Sequence, residues 1–145
     1  MLTTCEALTE RIIGCAIEVH QNTGPGLLES VYDACLAREL RAAQLKFVRQ
    51  IPLPIHYKGE PIECSFRIDY IVEEQVLLEL KSVERTLDVH KAQVITYLKL
   101  AKLPVGLLIN FNVPVLRLGV RRLAMTSAGG AAATHNGPSG PEPTG

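Results

Sequence analysis

Apolar residues along this chain change their period several times, and the changes mark the elements. From Thr4 to His20, Leu8, Ile12, Ile13, Ala16 and Val19 recur at helical spacing, which predicts an amphipathic helix with Thr3 or Thr4 as its N-cap. Asn22-Thr23-Gly24-Pro25-Gly26 breaks it, and a second helix is expected from about Leu27 to Ala43, burying Leu28, Val31, Tyr32, Cys35, Leu36 and Leu40. Period two then takes over. Ile51, Leu53, Ile55 and Tyr57 alternate within 50–57, and Pro52 and Pro54 confine that strand to a sheet edge. After a turn at Lys58-Gly59-Glu60-Pro61, the runs 67–72 and 76–81 form an antiparallel hairpin around Glu73-Glu74-Gln75. A third helix is expected from about Leu87 to Lys102, with Val94, Leu98 and Ala101 on its apolar face. The apolar run from Val105 to Phe111 reads as a buried strand, and 115–123 as an edge strand that places Arg117 and Arg121 together.

The hairpin carries charges where strand interiors disfavour them. In the second run Val76, Leu78 and Leu80 share one face and Leu77, Glu79 and Lys81 the other. In the first, Phe66, Ile68, Tyr70 and Val72 are expected on one face, leaving Asp69 beside Arg67 and Ile71. Asp69 can then approach Glu79 across the ladder. Two close carboxylates repel unless a cation or a shared proton lies between them, and Mg²⁺ suits one or two carboxylates plus phosphate oxygens. Lys81 would stand beside a bound phosphate. The competing reading is a weak ion pair on a solvated face, worth roughly 0 to 1 kcal/mol. Glu29, after the glycine break, either complements the helix dipole or is aimed into a cleft, completing a metal shell or positioning substrate. His90, Gln93 and Tyr97 share a helix face directed along that cleft.

Composition narrows the rest. The 145 residues, 47% of them hydrophobic, favour one domain over 1–124 and a Gly-, Ala- and Pro-rich tail without structure over 125–145. Fifteen basic and fifteen acidic side chains cancel, so nucleic acid would be held by a local patch or through a partner, and a homodimer is conceivable. Neither a secretion signal nor a membrane-length apolar run stands out, so a cytoplasmic protein without membrane contact is expected. Cys5, Cys15, Cys35 and Cys64 lack a C-x-x-C pair and read as reduced thiols rather than metal ligands or disulfides.

The order helix, helix, three strands, helix, strand, with Asp69 on the second strand and Glu79-Leu80-Lys81 on the third, resembles the PD-(D/E)XK nuclease superfamily. Gln93-Val94-Ile95-Thr96-Tyr97 is similar to the Q-x-x-x-Y element of its RecB-like branch, and Gly26-Leu27-Leu28-Glu29-Ser30-Val31-Tyr32 to the signature of the GxxExxY proteins. The resemblance implies a restriction-endonuclease-like α/β (α+β) fold, with a mixed central sheet flanked by helices. It implies that Asp69, Glu79, Glu29 and the Leu80 carbonyl serve Mg²⁺ or Mn²⁺, with Lys81 as catalytic lysine. Gln93 and Tyr97 would support the substrate, with Tyr32 as a further candidate beside it; His20 and His90 fit no family-wide role and are cleft candidates only. Hydrolysis of DNA, or else RNA, is the implied activity. The alternative is an inactive module of the same fold that binds nucleic acid or protein.

Overall fold

The structure, a computed structural model, describes residues 4–125 and 131–135. Two helices, α1 (Thr4–Thr23) and α2 (Glu29–Ala42), precede three strands, β1 (Phe47–Tyr57), β2 (Glu60–Val72) and β3 (Val76–Lys81). Helix α3 (Asp88–Ala101) leads to β4 (Val105–Asn110), a 3₁₀ turn (Leu116–Gly119), β5 (Val120–Met125) and β6 (Ala131–His135). The strands form one sheet in sequence order, antiparallel except where β3 and β4 run parallel on either side of α3 in the chain. This is the expected mixed-sheet α+β architecture.

The sheet separates two apolar layers. Ile12, Ala16, Leu36 and Leu40 of α1 and α2 pack on Tyr70, Val72, Leu78 and Leu80, while Val94, Tyr97 and Leu98 of α3 pack on Ile68, Leu77 and Leu108. Strand β4, buried at all six positions, contributes to both layers, which is why its sequence is apolar without alternation. The parallel β3–β4 pair is therefore the centre of the domain and carries Glu79 and Lys81.

Four expectations are corrected. Leu28 is 74% exposed because it precedes the helix in extended conformation, and Val31 is exposed because the buried stripe of α2 runs through Tyr32, Leu36, Ala37 and Leu40. The segment 115–123 is not one strand: it turns through the 3₁₀ segment before β5, which separates Arg117 from Arg121, and β5 is covered by β6 rather than being an edge. The paired strand β6 also lies inside the tail expected to lack structure; 126–130 and 136–145 fall outside the described residues. Finally, β2 does not keep one alternation. Ile68 packs under α3 but Tyr70 and Val72 pack under α1 and α2. The switch occurs opposite Gln50, whose φ of 53° puts a left-handed residue inside β1. Cys5, Cys15 and Cys35 are free thiols, and the side chain of Cys64 lies outside the described residues.

Candidate active site

The break in β2 places the carboxylates. Its ladder with β3 runs from Val72↔Val76 to Tyr70↔Leu78 and goes no further. Past that point β2 follows β1 and β3 follows β4, so their facing amides lose backbone partners. Side chains replace the ladder: Asp69 N–H donates to Glu79 Oε1 at 3.0 Å, and Leu80 N–H donates to Asp69 Oδ2 at 2.8 Å. Burial and the negative charge of Asp69 push the Glu79 carboxyl up to about 8. Asp69 is also raised, mainly by burial, although the Leu80 amide, Glu79 and Lys81 oppose the shift. Lys81, half-buried at the end of β3, lies within electrostatic reach of Asp69, Glu79 and Glu29 and favours the charged form of each.

Glu29 opens α2. The preceding loop turns through Gly24 (φ 70°) and Gly26 (φ 93°), conformations that L side chains rarely adopt. Tyr32 pins this loop from the core: its hydroxyl donates to Gly24 O at 2.6 Å and accepts from Leu27 N–H at 3.1 Å, and its ring stacks on Phe111. The loop is also tied to the end of β3, since Ser82 Oγ donates to Leu27 O at 2.6 Å. Glu29 thereby lines a cavity of about 350 Å³ with Ser30, Asp33, Gln50, Asp69 and Leu80. Burial, followed by the charge of Asp69, raises its carboxyl above the ordinary value.

The structure thus brings Asp69, Glu79, Lys81 and Glu29 to one region, with Leu80 in the cavity wall. Tyr32 is not brought to that surface; it is fully buried and supports the loop. On the opposite face, Gln93 Nε2 donates to Tyr97 Oη at 2.9 Å, and burial together with Glu79 and Asp69 raises the Tyr97 phenol. His90 Nδ1 accepts from Leu87 N–H at 3.0 Å at the start of α3, and burial and Lys81 lower its pKa. His20 stands apart, with Nε2 2.8 Å from Val113 O.

Two residues were missed in the sequence. Asp33 shares the Glu29 cavity, pairs with Arg49 at 2.9 Å and accepts from the Tyr70 hydroxyl through its carboxylate. Its position one turn after Glu29 on α2 was the available signal. Asn110, buried on β4, accepts from Val83 N–H at 3.1 Å and donates to Val83 O at 2.9 Å, fixing the loop that leaves Lys81. Its spacing gave no signal, since its partner is 27 residues away.

Among the described residues, no three His, Cys, Asp or Glu side chains gather as a metal cluster. The chemistry of the donors nevertheless fits a hard divalent cation. Burial raises the proton affinity of both Asp69, which is half-buried, and Glu79, which is buried, and a bound cation would offset that cost; such ions commonly take one or two carboxylates, carbonyls and water. No helix among the described residues is long and apolar enough to cross a membrane.

Residues 6–123 match the family profile described as the PD-(D/E)XK nuclease superfamily. No curated protein and no solved structure matches the chain. Nucleases of this superfamily typically use divalent metals and act on nucleic acid. The matched span contains both strands of the carboxylate pair and the helices on either side, and the chain belongs to the PD-(D/E)XK nuclease superfamily.

Proposed function

We propose that the protein hydrolyses phosphodiester bonds of DNA, using Mg²⁺ or Mn²⁺ held by Asp69, Glu79 and the Leu80 carbonyl. The observation that carries this reading is the reciprocal bonding of Asp69 and Glu79 across the opened β2–β3 gap, with Lys81 adjacent. When bound, the cation would polarise the phosphate and increase the acidity of water. The Lys81 ammonium would orient the attacking water and offset negative charge developing on the phosphate oxygens. Glu29 faces the same cavity as Asp69, where it can accept a hydrogen bond from that water or complete the cation's shell. Gln93 and Tyr97, bonded to one another, would position the sugar-phosphate backbone from the α3 side.

The finer kinship with GxxExxY and RecB-like proteins is supported by the way Gly26, Glu29 and Tyr32 form one loop unit, and by the Gln93–Tyr97 bond. A second reading, a non-catalytic binding module, is favoured by the absence of a three-residue metal cluster among the described residues and by carboxylates already engaged with backbone amides. The test is incubation of labelled single- and double-stranded DNA and RNA with wild type and Lys81→Ala, with and without Mn²⁺. Cleavage by wild type that needs Mn²⁺ and disappears in a folded Lys81→Ala variant is expected. Undiminished cleavage by Lys81→Ala overturns the assignment, and no cleavage by wild type favours the binding module.

A further inference from the structure

A second cavity, of about 470 Å³, lies between α3 and the β1–β2 hairpin, and Tyr97 belongs to its wall. Its volume falls within the roughly 300 to 1,000 Å³ typical of small-ligand pockets. Val89, Gln93 and Thr96 project from one face of α3, and Ile55 and Phe66 line the cavity from the hairpin. Two of these apolar side chains are not covered: Val89 is 65% exposed and Phe66 41%. The Phe66 ring meets Tyr97 edge-on, with centroids 6.0 Å apart, which limits its freedom to fold away.

Charge gives the cavity its chemical meaning. None of the described residues lining it is Asp, Glu, Lys or Arg, and burial and Lys81 disfavour the protonated form of His90. Yet the cavity adjoins the Asp69, Glu79 and Lys81 cluster, since Tyr97 feels Glu79 and Asp69 and His90 feels Lys81. A neutral, aromatic-walled space with amide and hydroxyl groups at its edge thus lies next to a site built for a phosphodiester. A nucleotide has the same division: an uncharged flat base joined through sugar to a charged phosphate.

We propose that the cavity between Phe66 and α3 seats one nucleobase of a single strand next to the bond that is cut. This deepens the phosphodiesterase reading of the neighbouring site and rests on it for the polarity of the substrate. A base inside a duplex has both faces stacked, and extracting it sacrifices pairing and stacking, whereas single strands offer their bases readily to aromatic walls. Single-stranded nucleic acid, or an unpaired end, is therefore the preferred substrate. The Gln93 amide and Thr96 hydroxyl lie at the edge of the cavity, where they can bond the rim of the base.

The chain has no tryptophan, so fluorescence from a single-stranded DNA oligonucleotide carrying 2-aminopurine reports binding without that background. The titration is made with full-length protein in EDTA, which prevents metal-dependent cleavage. Wild type should give a saturable change, and Ala92→Phe, which fills the cavity from the exposed side of α3, should raise Kd about tenfold. Phe66→Ala should do the same by removing the wall, and an oligonucleotide with an abasic site should compete about tenfold less well than its parent. Circular dichroism and Mn²⁺ titration verify that the fold and the carboxylate pair are intact. Wild-type affinity in folded Ala92→Phe, equal competition by the abasic strand, or no response from wild type overturns the base pocket. Binding that depends on the cavity without cleavage in Mn²⁺ supports the pocket and sinks the phosphodiesterase reading alone; cleavage unaffected by Ala92→Phe does the reverse.

Discussion

Asp69 and Glu79 each accept a hydrogen bond from the backbone of the other's strand, at 2.8 and 3.0 Å, just where the β2–β3 ladder ends. The arrangement has a structural and a chemical side. It satisfies amides that the separating strands leave unpaired, and it brings together a buried carboxyl group, Glu79, and a half-buried one, Asp69, whose joint ionisation is opposed by desolvation and mutual repulsion.

The first consequence is a pH dependence of stability without metal. In the unfolded chain Glu79 titrates near 4.5, while in the fold it is raised to about 8, so the native state holds the proton more tightly. Its stabilising contribution is full below the unfolded value, falls as pH rises between the two values, and has gone above the folded one, with a slope of up to about 1.4 kcal/mol per unit. Glu79→Gln removes this dependence while keeping an acceptor for the Asp69 amide. Denaturant unfolding from about pH 5 to 9 should show the variant gaining on wild type by a few kcal/mol. Parallel curves for the two proteins would show that Glu79 does not titrate in that interval.

Metal binding should carry the same proton. A cation needs the carboxylates ionised, so Mn²⁺ affinity is expected to rise with pH and to release protons, up to about one per ion near pH 7. Calorimetry in buffers of unlike ionisation heat measures that release. Asp69→Asn should abolish saturable binding, and a variant that binds Mn²⁺ as wild type does would remove Asp69 from the ligand set.

Spacing marked part of this candidate site, but it took the family resemblance to favour it over a weak ion pair on a solvated face, and the exceptions have physical reasons. Asp69, Glu79 and Lys81 were legible because charges in strand interiors demand explanation, and Gln93 and Tyr97 because helical spacing aligns them. The change of face between Ile68 and Tyr70 was not, because it depends on Gln50 taking a left-handed conformation that its residue type does not announce. Tyr32 belonged to a recognisable signature, but its role is set by a ring stacked in the core and a hydroxyl turned back on the loop. Asp33 and Asn110 act through partners distant in sequence, Tyr70 and Val83, which periodicity does not connect.

Tyr32→Phe tests the loop. The ring would keep its place on Phe111, while Gly24 O and Leu27 N–H each lose their hydroxyl partner. A loss of about 1 to 3 kcal/mol is expected. Nuclease turnover should fall as well, through displacement of Glu29, while Mn²⁺ affinity at Asp69 and Glu79 changes less. An unchanged unfolding midpoint would show that the hydroxyl is not what holds the loop.

The last prediction contrasts two glycines on the route from β4 to the site. A Cβ at Gly119 would stand 2.0 Å from Asn110 O, a backbone atom that no rotamer change can move. A Cβ at Gly106 would meet Val94 Cγ1 at 2.8 Å, the end of a side chain on α3 that can yield by a small shift of the helix. Overpacking typically costs about 1 to 3 kcal/mol, and Gly119→Ala should reach or exceed the top of that range while Gly106→Ala remains near the bottom. Function should separate them further. Gly119→Ala displaces Asn110, whose side chain fixes Val83 two residues beyond Lys81, so activity should fall even at temperatures where the variant is folded. Gly106→Ala leaves that network in place, so the two thermal midpoints and two turnover rates measure whether Asn110 carries strain from the 3₁₀ turn to the lysine. Equal turnover in both folded variants would show that it does not.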